Sequence, residues 1–119
     1  MTYVDGFVLP VKKRQLATYR SMAKQAGKIW RRYGALEFRE CVADDVPQGK
    51  RTSFPRSVKL KRGEIVVCSY IVYRSRADRD RVMAKVMKDK CIDAMMKSKK
   101  IPFDGKRMIV GGFKTMVSA

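Results

Sequence analysis

The chain's 119 residues carry 28 Lys and Arg against 11 Asp and Glu, a formal net charge of +17 that predicts attraction to polyanions at low salt. That length suits one domain, residues 1–119, around a single core, and no apolar run approaches the ~20 residues of a membrane helix. Histidine is absent, which removes Ser-His-Asp and Cys-His nucleophiles, His-ligated haem and most transition-metal sites.

In chain order, Met1 to Leu9 mixes β-branched and aromatic residues (Tyr3, Val4, Phe7, Val8) and predicts a first strand closed by Pro10, with Asp5 as its odd member. From Lys12 to Tyr33, Leu16, Tyr19, Ala23, Ala26, Trp30 and Tyr33 form one stripe of an amphipathic helix that Gly34 ends. Ala35 to Val46 predicts a second strand, with Leu36, Phe38 and Val42 pointing one way and Glu37, Arg39 and Cys41 the other. Lys50 to Gly63 reads as an ordered excursion containing a short extra strand. Glu64 to Tyr73 is apolar at odd and even positions alike, the pattern of a strand covered on two faces.

Ser75-Arg-Ala-Asp78 is a capping box that starts a second helix, with Val82, Met83, Val86 and Met87 as its apolar stripe. Cys91 to Met96 adds another turn or two of helix, and Lys106 to Val117 predicts the last strand. There Gly111-Gly112 allows a bulge or a close backbone approach. The order β-α-β-β-α-β is the ferredoxin-like pattern, an α+β fold with both helices on one face of an antiparallel sheet. The second face, with Met108 and Val110 or Ile109, Phe113 and Val117, would then be an exposed apolar patch. A homodimer packed sheet on sheet is the expected cover, against the alternative of residues 50–63 folded across it.

The cysteines, Cys41, Cys68 and Cys91, are odd in number and form no C-x-x-C. Acidic neighbours would raise the thiol pKa of Cys41, so an inert, packed side chain is the simpler expectation there. No basic stretch followed by an apolar one opens the chain. A cytoplasmic protein with reduced thiols, no metal site and no cofactor is therefore expected.

Asp5, Arg39 and Glu40 are the candidate catalytic residues, because a carboxylate beside an arginine at a sheet can act as a general base next to an anion holder. Asp44 and Asp45 belong to the same polar cluster, with Arg56 and Asp104 as its outliers. Tyr3, Tyr70 and Arg56 are candidate ligand contacts in a cavity at the sheet. The competing reading is a nucleic-acid surface formed by Lys13, Arg20, Lys24, Lys28 and Arg31, which share one arc of the first helix. No RNA-recognition motif or aromatic platform accompanies that arc, and the bland alternative is a solvated face.

Several blocks of this sequence also carry a resemblance: DGFVLPV (5–11), GALEFRECVADDV (34–46), TSFPR (52–56), VYRSRADRDRV (72–82), VMKD (86–89) and PFDGKRMIVGGF (102–113). Together they resemble the YbaA-like bacterial proteins, a family of unknown function in the dimeric α+β barrel superfamily. The resemblance implies a ferredoxin-like protomer that pairs through its sheet into a barrel. It implies no particular reaction, since cofactor-free monooxygenases, haem-degrading enzymes and lactone isomerases share that superfamily. The missing histidine speaks against the haem branch.

Overall fold

The computed structural model describes residues 1–98 and 101–119, so the basic run at 97–100 lies partly outside the described residues. Strands β1 (Tyr3–Lys12), β2 (Glu37–Val42), β3 (Glu64–Tyr73) and β4 (Ile109–Lys114) form one antiparallel sheet in the order β2-β3-β1-β4. Helices α1 (Leu16–Tyr33), α2 (Phe54–Ser57), α3 (Arg76–Met87) and α4 (Lys90–Lys97) complete the chain, with short 3-10 turns at Lys13–Gln15 and Gly105–Arg107. The ferredoxin-like order read from the sequence is the order observed.

Register explains where the core lies. Tyr3, Asp5, Leu9 and Val11 of β1 stand opposite Tyr73, Ile71, Val67 and Ile65 of β3, so these rows share one face. Onto that face α1 lays Tyr19, Ala23 and Ile29, α3 adds Val82 and Val86, and α4 adds Ile92, all buried. The helix ends are set locally. Ser75 Oγ accepts from the Asp78 N–H at 3.0 Å, the N-cap half of the expected capping box, while the Asp78 carboxylate pairs with Arg81. Gly34 closes α1 at φ 121°, a conformation side-chain-bearing residues avoid.

Strand β1 continues through Pro10 instead of stopping there. The Lys13 N–H donates to the Gly63 carbonyl, so by strand alternation the odd residues of β1 turn their N–H groups toward β3. Position 10 therefore faces the other neighbour, β4, whose pairing with β1 ends at Val8. The missing proline N–H thus falls past the end of β4, beside the isolated Val11–Phe103 bridge, where it breaks no bond of the β1–β4 ladder.

The excursion at 50–63 holds a helical turn, α2, and no strand. Ser53 caps it by accepting from the Arg56 N–H, and Pro55 sits in its first turn, buried. This segment covers only one end of the second sheet face. There Val66 is 3% exposed and Glu64 8%, and Arg107 bridges Glu64 to the carbonyls of Val58 and Lys59. Away from that end Ile109 and Phe113 stay 44% and 63% exposed, and Cys68 is open beside half-buried Val4, Tyr70 and Val72. The loop cover weighed from the sequence thus holds at one end only, and most of the face remains open.

The last strand is shorter than its apolar pattern, because Arg107 is drawn off into its bonds with Glu64 and Asp104 and holds Gly105–Arg107 as a 3-10 turn. The Gly111-Gly112 pair forms no bulge. It pairs in continuous register with Gly6 and Asp5, and the close approach occurs at Gly112, against the ring of Tyr3. Among the described residues, no helix is long and apolar enough to cross a membrane.

Candidate functional site

An open groove of about 1490 Å³ lies between α1 and the edge strand β2. The two elements run against each other: Gly27 and Trp30 meet Phe38, whereas Tyr19, farther back along the helix, meets Glu40, farther along the strand. Gly27 permits this packing, since a Cβ there would come within 2.8 Å of the Phe38 ring. The floor is apolar, with Ala23, Phe38, Val42 and Val67, and Leu16 lies toward one end.

One polar pair interrupts that floor. Tyr19 Oη donates to Glu40 Oε2 at 2.6 Å. Ser69, directly across from Glu40 on β3, bonds the same carboxyl. Although Glu40 as a residue is open to the groove, burial of its carboxyl pushes its pKa above the ordinary 4.5, against the opposing pull of the Tyr19 and Ser69 hydroxyls. The same burial, with the neighbouring carboxylate, drives the Tyr19 phenol far up, so it remains a donor at any working pH. A carboxyl poised in this way can take or hold a proton next to an apolar ligand.

Cations line the helix side of the groove: Arg20, Lys24, Lys28 and Arg31. They lie on the flank of α1 that borders β2, about 120° from the centre of the buried stripe at ~100° per residue, and not on the outermost face. Arg31 is committed, donating to the Ala35 carbonyl at 3.0 Å and also to that of Leu36. Lys13 belongs to the preceding 3-10 turn and is not part of the lining.

The other candidates are dispersed. Arg39 points to the second sheet face, opposite Tyr70, where it reaches the groove's outer lip and pairs with Glu37 at 3.2 Å. Asp5 shares the helix-covered face with Glu40, but β3 separates their strands. Only 4% exposed, Asp5 pairs with Arg79 at 3.1 Å. Burial raises its pKa, and Arg79 and a hydrogen bond with Tyr73 partly offset the rise. Arg79 also lies over the Tyr3 ring, 5.0 Å from its centroid, and Trp30 Nε1 donates to Tyr73 Oη at 3.2 Å. This is a closed network beneath the helices.

Tyr3 and Tyr70 occupy opposite faces of the sheet, so they line no common cavity. Arg56 spends its guanidinium on the carbonyls of Gln48 and Gly49, at 3.0–3.2 Å, and Asp104 is tied to Arg107. Asp44 and Asp45 lie exposed past the end of β2. Tyr19 is a core residue, as its stripe predicts, and only its hydroxyl reaches the groove through Glu40, whereas Phe38 lines the groove itself. A signal existed for this: Glu40 is the one even position that breaks the apolar alternation of Leu36, Phe38 and Val42.

The arrangement defines a class, a ferredoxin-like α+β domain with a groove at the edge of its helix-covered face. Residues 2–105 match the model of a protein of unknown function, DUF1428. Over 117 residues, 98% of each chain, the sequence is 44% identical to the uncharacterized protein YbaA of Escherichia coli K12, and equally to that of Shigella flexneri. The chain belongs to this DUF1428 family. Among solved structures it is similar to Rv0793 from Mycobacterium tuberculosis, with TM-score 0.55 and 12% identity over 100% of this chain and 99% of that one. It is also similar to a Nitrosomonas europaea protein described as a "putative antibiotic biosynthesis monooxygenase", with TM-score 0.53 and 13% identity over 97% and 90% of the two chains. At such identities the likeness shows the fold alone.

Proposed function

We propose that this protein holds a small organic molecule in the groove between α1 and β2, with the Glu40–Tyr19 pair as the polar group that meets it. The observation that carries the reading is the 2.6 Å hydrogen bond from Tyr19 to Glu40, set in an otherwise apolar floor. Few, well-placed polar atoms in an apolar concavity are the usual makings of a ligand site. The fold-level likeness to a protein described as a monooxygenase is in keeping with an organic ligand and does not choose a reaction.

The test is a metabolite screen by thermal shift, because a ligand that binds only the folded state raises its melting temperature. Compounds that bind here should lose their shift in Phe38→Ala, change it in either direction in Glu40→Gln, and keep it in Arg56→Ala. A screen without hits, or hits indifferent to both groove variants, would refute the reading.

A homodimer through the open sheet face belongs to the same proposal, supported by the exposed Ile109 and Phe113 beside Val4, Val72 and Cys68. Light scattering should return twice the 13.7 kDa of the chain, and Phe113→Asp should halve that mass. A monomeric wild type at micromolar concentration would defeat it. The three free cysteines suit a reducing compartment, and a cytoplasmic location is proposed with them.

A further inference from the structure

The groove's two walls differ in a way that bears on its occupant. Helix α1 has no acidic residue along its 18 positions. Arg20, Lys24 and Lys28 stand on it at intervals of four, about 6 Å apart along the axis. Among the described residues none of the three has an ion-pair or hydrogen-bonding partner; the nearby acids are engaged elsewhere, Glu37 by Arg39 and Glu40 by Tyr19. Three unpaired like charges in a row repel one another and favour a bound anion.

Below that row the surface turns apolar at once, with Ala23, Phe38, Val42 and Val67. A phosphate ion or a polynucleotide would leave this floor unused. A neutral hydrocarbon would leave the cations unused. The groove is lined along α1 from Leu16 to Arg31, about 22 Å at 1.5 Å per residue, so the space suits an elongated ligand.

We propose that the occupant is an elongated amphipathic anion, an alkyl or aryl body bearing a carboxylate or phosphate-ester head, with the head on Arg20, Lys24 and Lys28 and the body on the Phe38–Val42–Val67 floor. This rests on the small-molecule reading of the groove. Glu40 fixes the orientation, because a carboxyl already accepting from Tyr19 and Ser69 offers an anionic head nothing and repels it when ionised. The head therefore stays on the helix wall, and the middle of the ligand passes the Glu40 carboxyl. Any proton transfer at this site would act on that middle part.

The experiment compares four probes of equal chain length at about 0.15 M salt, where non-specific ionic attraction is largely screened. These are decanoate, decyl phosphate, decanol and decyltrimethylammonium, all below their micelle concentrations, with inorganic phosphate and anionic phospholipid vesicles alongside. Decanoate, decyl phosphate or both should bind, at least tenfold more tightly than decanol. Lys24→Glu and Lys28→Glu should each weaken that binding tenfold or more. Arg32→Glu, an equal change of charge on the same helix at a position outside the groove lining, should alter it less than twofold.

Each alternative result overturns the inference in a distinguishable way. Decanol binding as well as decanoate, lost with Phe38→Ala and indifferent to the lysine variants, would leave the groove reading standing with a neutral ligand. Inorganic phosphate competing as well as the decyl anions, or Arg32→Glu weakening binding as much as Lys24→Glu, would reduce the row to general charge attraction. Vesicle binding without binding of the monomeric anions would make the surface a membrane contact. If no probe binds and the metabolite screen is also empty, both readings fall.

Discussion

Replacing Gly112 with alanine should destabilise the protein, while the same change at the adjacent Gly111 should not. A Cβ at Gly112 would lie 2.8 and 2.9 Å from two Tyr3 ring carbons and would also press on Tyr3 Oη, inside the ~3.5–4.0 Å of a comfortable carbon contact. Tyr3 has no room to retreat: it is 7% exposed, and Arg79 stacks on its ring and donates to its hydroxyl at 3.4 Å. Overpacking of this sort costs about 1–3 kcal/mol. Loss of glycine's freedom in the unfolded chain returns about 0.4–1 kcal/mol. The net is roughly 0.5–2 kcal/mol, or a melting temperature lower by about 2–8 °C for a chain of this size. At Gly111 a Cβ would sit 3.5 and 3.6 Å from Phe113, an ordinary contact, so the entropic gain should leave Gly111→Ala equal to or slightly above wild type. Circular-dichroism melts and urea titrations measure both. A Tyr3→Leu background should shrink the Gly112 penalty, since the two positions then no longer collide. Equal stability of the two alanine variants, or a penalty at Gly112 unchanged by Tyr3→Leu, would refute the steric argument.

Acid should act on three groups with opposite signs. Glu64 is held below its ordinary 4.5 by Arg107, so the stability it contributes is present above 4.5 and is lost as pH falls through its depressed native value. The melting-temperature gap between wild type and Arg107→Gln should therefore be widest at neutral pH and close as the solution is acidified below about 4.5. Glu40 and Asp5 are raised instead, so each protonates in the native chain before it does in the unfolded one and favours folding as pH falls toward the ordinary range. Carboxyl carbon-13 NMR should place the Glu40 midpoint above 4.5 and show Tyr19→Phe moving it higher, because the lost hydroxyl donated to the ionised form. A midpoint that falls in Tyr19→Phe would contradict the hydrogen bond. Labelled single-stranded RNA should be retained at low salt and released by about 0.2 M. Retention at that concentration would revive a dedicated nucleic-acid surface.

The elements that followed from sequence are those set by local chemistry. Ser75 caps α3 through a partner only three residues away, and the 3-4 spacing from Leu16 to Tyr33 leaves α1 one face to bury. Boundaries that depend on distant partners were not legible. Pro10 stays in β1 because β4 happens to stop at Val8, a long-range matter of register. Arg107 leaves the last strand because Glu64, 43 residues away, needs a counter-ion. The helical turn at Phe54–Ser57 did carry a local signal, because Ser53 as cap with Pro55 in the first turn is a favoured helix start.

The site was legible residue by residue and not as a whole. Glu40 stood out as a carboxylate beside an arginine in the second strand, and the row from Lys13 to Arg31 stood out as one arc. The two looked like rival functions, a pocket at the sheet against a basic outer face. A helical wheel places that arc roughly a third of a turn from the buried stripe, which makes it a flank. Whether a flank meets solvent or a neighbour depends on where the edge strand lies, and β2 lies beneath it. Once β2 is placed, the cations and the carboxyl become opposite sides of one groove, and the rivalry reduces to a question of what spans them.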